Sequence, residues 1–201
     1  MTSVIVPIVE GDGEVQALPV LLRRVALVSG IGQGVRIERP IRVHRDRFLN
    51  RQEELRRMVI LAREKAGPDG AILVLLDADD DCPARLGPEL QARVRGIVPQ
   101  TPACVVLANR EYEAWFMASA ASLHGVRGFQ WDGVAPPDPD LLRDAKGWIR
   151  LRTLGRRYGP VHDQAALSDH IEIDVALARS RSFRKLVSAW QELVGMHRHG
   201  E

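Results

Sequence analysis

The chain has 201 residues, 45% of them hydrophobic and 27% charged, with a formal net charge of +2. That size and apolar content suit one packed domain, or one domain with an appendage, and the near-neutral balance alone says nothing of nucleic acid. No apolar run is long enough to span a membrane, no secretion signal is evident, and Cys82 and Cys104 form no CxxC pair, so a cytoplasmic protein is expected. Val4–Val9 reads as a short, β-branched buried strand, and Val15 to Val28 then carries apolar residues at helical spacing, with Pro19 in its early turns. After the glycines 30, 32 and 34, alternation over Val35 to Val43 suggests a second strand. Asn50 to Lys65 has the apolar stripe of an amphipathic helix, ended by Gly67-Pro68. Ala71–Leu76 is the clearest strand and stops at Asp77-Ala78-Asp79-Asp80-Asp81. A shorter helix over Pro88 to Gly96, a strand over Ala103–Leu107 and a helix over Glu113 to Ala121 follow. Alternating strands and helices imply right-handed crossovers, a mainly parallel central sheet and helices on both faces. The pattern decays after His124. Residues 131–140 (WDGVAPPDPD) read as loop, and the apolar spacing of Ser182 to Val194 marks a last helix. The expected organisation is an α/β domain over 1–123 with a loop and helical extension, 124–201, packed on it as a single unit.

In open parallel sheets, ligands bind beyond the carboxyl ends of the strands. Each acidic cluster sits at such an end: Glu10 after the first strand, Asp77 at the third, Glu111 and Glu113 just past the fourth. Asp77 and Asp79, two apart, share a side in extended backbone. Left unpaired, such carboxylates repel one another and raise their pKa values. A divalent cation relieves this, and all-oxygen ligation favours Mg²⁺ or Mn²⁺. The DADDD run has other readings. An EF-hand loop starting at Asp77 would need Gly and Glu where Cys82 and Pro88 stand. A phosphatase of the haloacid-dehalogenase type also ends a strand in DxD, with the first Asp as nucleophile, but Asp81 stands where Thr or Val is usual. A run of Asp can also simply cap a helix in solvent.

Hydrophobic strand, Glu10-Gly11, helix, and later hydrophobic strand, Asp77-Ala78-Asp79, resembles the signature of Toprim domains over roughly Val4 to Ala121. The segments VEGDGEVQALPVLLRR, LLDADDDCP, REYEAWFMAS and SRSFRKLVSAW more narrowly resemble the small bacterial domain-of-unknown-function family 4276, related to the Toprim domains of OLD-family nucleases and often encoded beside an ABC/SMC-type ATPase. The resemblance implies a Toprim-like fold and Mg²⁺-dependent (or Mn²⁺-dependent) phosphodiester chemistry on nucleic acid, as a nuclease in bacterial defence or repair with a separate ATPase partner. Glu10 would be general acid/base or metal ligand, and Asp77 and Asp79 metal ligands. Asp81, Glu14 and Glu113 would be further ligands, and Lys146 would neutralise transition-state charge. One departure is Cys82 at the position where the Toprim motif often has glycine. A non-catalytic module that binds an ATPase or nucleic acid, and a DxD phosphatase, are the alternatives.

Lysine occurs only at Lys65, Lys146 and Lys185, and the segment from Lys146 to Arg157 (KGWIRLRTLGRR) is purely basic. Arg150, Arg152, Arg156 and Arg157 are therefore the expected phosphate contacts, unless the segment is only a solvated helix face. The histidines, His44, His124, His162, His170, His197 and His199, lack metal-ligand spacing except for His197-x-His199 near the C-terminus. There is no GxSxG elbow and no GxxxxGK[ST] phosphate loop, so ATP hydrolysis by this chain is not expected.

Overall fold

Apolar β-branched runs too short for helices form the centre of the molecule. The computed structural model describes residues 4–32 and 34–196. Its sheet contains β1 (Val4–Val9), β2 (Arg36–Ile37), β3 (Ile41–Arg42), β4 (Ala71–Asp77) and β5 (Ala103–Ala108), paired in parallel throughout in the order β2-β1-β4-β5, with β3 also on β1. β1, β4 and β5 are buried on both faces, as all-parallel strands must be when helices cover each side.

The stretch expected as one strand over Val35 to Val43 is two short pieces. Ile5 pairs with Ile37 but Ile8 with Ile41, so one extra residue lies between the pieces, where Pro40 has no N–H for a ladder.

The first crossover helix, α1 (Asp12–Ser29), begins directly after the Glu10-Gly11 turn. Pro19 thus lies well inside it rather than in its early turns. The helix expected over 50–65 is α2 (Arg45–Asn50) and α3 (Gln52–Ala66), broken where Arg51 is extended. α4 (Pro83–Ile97) starts earlier than the expected helix because Pro83 opens its first turn, a position that needs no amide donor. α5 (Ala114–Ala118) is short and continues into a 3₁₀ turn, Ala120–Leu123.

Beyond the 131–140 loop come α6 (Ala145–Leu151), α7 (Pro160–Ser168), α8 (Ile173–Arg179) and α9 (Arg181–Met196). Two apolar layers result. One, under α2, α3 and α4, contains Val6, Phe48, Val59, Val74 and Val105. The other joins β1 and α1 to the C-terminal helices through Leu21, Trp115, Phe183 and Trp190, so residues 124–196 complete the sheet's second face. Trp115 meets Phe183 edge-on at 5.6 Å, and its Nε1 donates to the Ser182 hydroxyl at 2.9 Å, which satisfies its buried polar end. No described helix is long and apolar enough to cross a membrane.

Candidate functional site

Parallel pairing of β1 with β4 and of β4 with β5 puts their carboxyl ends on one rim. Glu10 follows β1, Asp77 ends β4, and Glu111 and Glu113 follow β5. α6 brings Lys146 to the same place from the C-terminal half. Its backbone N–H donates to Glu111 Oε2 at 2.8 Å, and its Nζ lies 3.8 Å from Glu111 Oε1 and 4.0 Å from Glu113 Oε1. Burial works against the Lys146 ammonium. Glu113, Glu111, Asp77 and Glu14 outweigh it and hold the lysine above its ordinary pKa.

Around this lysine, Asp77, Glu113, Glu10 and Glu14 are shifted upward. Burial, then Glu113, Glu14 and Glu10, push Asp77 well above the usual range. Its Oδ1 accepts the Tyr112 N–H at 2.8 Å. Glu113 is fully buried. Its Oε1 accepts the Tyr158 hydroxyl at 2.9 Å and Gln164 Nε2 at 3.1 Å, while Oε2 is buried without a hydrogen-bond partner. Burial raises Glu113 despite the pull of Lys146. Burial and then the Asp79 carboxylate raise Glu10, whose Oε2 also lacks a partner. Glu14 is raised mainly by burial. Its Oε2 accepts the Gly11 N–H, as the N3 acid of a helix start does, and Gln164 Nε2 lies 3.5 Å from its Oε1. The acidic turn is thus partly a cap for α1 and partly one wall of a carboxylate cluster.

Asp79 and Asp81 have a different setting from the one expected. Asp79 takes a left-handed conformation, φ 49°. Arg45, at the start of α2, pairs with Asp79 Oδ2 at 3.5 Å and Asp81 Oδ2 at 2.5 Å. It also donates to the carbonyls of Asp77 and Ala78 at 2.9 and 3.1 Å. Arg110 and Arg143 both hold Asp80. The run of aspartates that suggested metal ligands is therefore largely neutralised by arginines, with Asp81 turned to Arg45.

Among the described residues, no three His, Cys, Asp or Glu side chains stand close enough together to hold a metal ion as they are. The chemistry of the cluster nevertheless fits a hard cation, because Glu10, Asp77 and Glu113 offer only oxygen and two of those oxygens have no donor. These three, with Glu14 and Asp79 beside them, are the residues that could take one.

The family model described as "Domain of unknown function (DUF4276)" matches residues 9–190. The chain belongs to the DUF4276 family. No curated protein and no solved structure matched. In this DUF4276 chain the match begins one residue before Glu10 and ends inside α9, so every residue of the carboxylate cluster lies within it.

The basic segment of the DUF4276 domain divides in two. Arg152 stacks over Trp148, 4.0 Å from the ring centroid, pairs with Asp132 at 3.1 Å and buries its Nε. Arg156 donates to Asp163 Oδ1 at 2.6 Å, and Arg127 reaches the same oxygen at 3.1 Å. Asp163 is fully buried. Burial opposes its charge, but Arg156, the Gly159 N–H and Arg127 prevail and hold its carboxyl below the ordinary value. Arg152 and Arg156, two of the expected phosphate contacts, are thus already engaged by carboxylates of the chain itself. Arg150 and Arg157 are exposed and make no ion pair among the described residues.

His124 Nδ1 accepts the Trp131 N–H at 3.0 Å, and His170 Nδ1 lies 2.9 Å from the Ala166 carbonyl. His197 and His199 lie outside the described residues. Sequence reasoning missed Arg45, Gln164, Tyr112 and Tyr158. None has a local motif, since each acts on a partner more than 30 residues away. Glu111 carried a signal, the Glu-x-Glu directly after a strand.

Proposed function

We propose that this domain carries out Mg²⁺- or Mn²⁺-dependent phosphodiester cleavage on nucleic acid, as a nuclease of bacterial defence or repair working with a separate ATPase. The observation that carries this reading is the shared rim of Glu10, Glu14, Asp77 and Glu113. Its carboxyls are all raised in pKa, and two of its oxygens have no partner. Glu10, Asp77 and Glu113 would hold the cation, with Asp79 and Glu14 next to them. The bound cation would neutralise phosphate charge and lower the pKa of water. Glu10 is half-buried with a raised pKa, a shift in the direction that general acid or base work requires. The Lys146 ammonium, set among the carboxylates, is the chain's own cation for stabilising added negative charge. Arg45 fixes the Asp77-Ala78 backbone and so the aim of Asp77. The EG…DxD resemblance to Toprim domains supports the same chemistry.

The test is a plasmid-nicking assay with Mg²⁺, Mn²⁺ or EDTA, run beside a small phosphomonoester assay, for wild type and Asp77→Asn. The expected result is metal-dependent nicking that Asp77→Asn reduces by orders of magnitude. Phosphomonoester turnover without nicking would favour the phosphatase alternative. If neither occurs, Mn²⁺ calorimetry decides: equal binding by wild type and Asp77→Asn removes Asp77 as a ligand and leaves the non-catalytic module.

A further inference from the structure

β5 lies at the edge of the sheet, with β4 as its paired neighbour. Its even-numbered side of the ladder bonds to β4, as the bonds from Ile72 N–H to the Pro102 carbonyl and from Ala78 N–H to the Ala108 carbonyl show at the two ends, both 2.9 Å. Ala103, Val105 and Leu107 therefore turn their peptide groups outward. Gln91 of α4 satisfies the first part of this edge. Its Nε2 donates to the Ala103 carbonyl and its Oε1 accepts the Val105 N–H, each at 2.7 Å. No group among the described residues does the same for the Val105 carbonyl or for the Leu107 N–H and carbonyl. These residues are nonetheless only 3% and 4% exposed, a setting in which unpaired peptide groups are costly.

These open peptide groups line a groove of about 700 Å³ between α4 and α9. Pro83, Ala84, Gly87 and Pro88 make one wall largely apolar. Across the groove, Arg95 of α4 meets Glu192 of α9 at 3.1 Å, near Cys104, and closes that end. The other end opens beside Cys82 and Asn109. Arg181 is engaged by Asp140, whereas Lys185 lines the groove with no ion pair among the described residues.

We propose that this groove binds an extended peptide segment of a partner protein, of alternating apolar residues with one acidic side chain, which adds as a strand to the open edge of β5. The outward peptide groups supply the register, the apolar wall takes alternate side chains, and Lys185 takes the acid. The stretch from Val105 to Asn109 fits about four or five residues at ~3.3 Å each. Edge-to-edge pairing with the β5 of a second copy is disfavoured, because that strand is flanked by its own α4 and α9. A largely apolar trough in which Lys185 is the one lining cation without an ion pair among the described residues is also the wrong chemistry for nucleic acid, whose affinity comes from many phosphate contacts.

The test is selection from a displayed library of random eight-residue peptides on the full chain, counter-selected on Gly87→Trp. A Cβ at Gly87 meets nothing within 4 Å, so a side chain there has room to enter the groove that Gly87 lines. Ala84→Trp, on the same exposed wall, is the second blocking variant should Gly87→Trp misfold. The expected peptides alternate apolar residues and carry Asp or Glu. They should bind at least tenfold more weakly to either blocked variant and several-fold more weakly to Lys185→Glu, and should slow hydrogen exchange at the Leu107 amide. Failure to enrich peptides over the blocked variant overturns the proposal. So does undiminished binding by selected peptides carrying N-methyl groups on alternate amides, in both registers, since strand pairing requires those amides.

Discussion

Asp77 and Lys146 decide how the cluster behaves without metal. A carboxyl raised by folding favours the folded state below its unfolded pKa, 3.8 for Asp77, and loses that contribution as pH rises through the folded value. As pH rises above that unfolded value, the burial and like charges that raise Asp77 therefore weigh against the fold. Asp77→Asn keeps the shape and the acceptor for the Tyr112 N–H while removing one charge. In EDTA it should melt above wild type at pH 8, with the difference shrinking towards pH 4; thermal denaturation across pH reads this directly. Lys146→Met does the reverse, leaving Glu111 and Glu113 without their ammonium. It should lower stability by about 1–2 kcal/mol at pH 8, since the lysine is a third exposed and partly screened. An unchanged urea midpoint for Lys146→Met at pH 8 would show that the ion pairs contribute nothing. Glu10 and Asp77 were legible in the sequence because an acid directly after an apolar run has one place to go in a parallel sheet. The fate of Asp79 and Asp81 was not, since Arg45 precedes them by more than 30 residues and lies at the start of a helix the sequence did not mark.

The strands were legible because burial on both faces demands unbroken apolar runs, and β1, β4 and β5 fall within a residue of their expected bounds. What failed was the backbone break at Arg51, which carries no apolar signal, and α7, whose inward face is polar. That polar face is what α7 contributes to the site. Its Asp163, Gln164 and Ser168 are all buried, and Gln164 runs between Glu14 and Glu113. α1 meets α7 closely because residue 13 is glycine. A Cβ there would come within 2.0 Å of Gln164 Oε1 and 3.0 Å of the Pro160 carbonyl carbon. Gly13→Ala should therefore destabilise the protein by roughly 1–3 kcal/mol even though alanine is the better helix former. Combining it with Gln164→Ala should cost less than the sum of the two single changes, because the second removes the atoms the first strikes. Strictly additive urea-denaturation energies would place the contact elsewhere.

Across the whole molecule the formal charge is close to balanced, and what matters is which charges are already spent. The C-terminal half uses Arg127, Arg152 and Arg156 to bind its own Asp132 and Asp163, and the acidic rim uses Arg45, Arg110 and Arg143 on its own aspartates. A count of basic residues in the segment from Lys146 to Arg157 therefore overstates what it can offer a phosphate, and sequence alone could not separate the paired arginines from the free ones. The proposal of nucleic-acid binding then makes a split prediction. Replacing Arg150 and Arg157 together with alanine should leave the melting temperature within a degree or two. It should also lower the slope of log K against log salt by about two phosphate contacts' worth, measured by fluorescence anisotropy with a labelled oligonucleotide at several salt concentrations. Arg152→Ala instead removes a stacked guanidinium and an ion pair that close the face over Trp148, so it should cost about 1–2 kcal/mol of stability and leave the salt slope unchanged. A fall in salt slope for Arg152→Ala, with none for the Arg150/Arg157 pair, would mean that the guanidinium leaves Trp148 and Asp132 when nucleic acid binds and that the exposed arginines are not the contact surface.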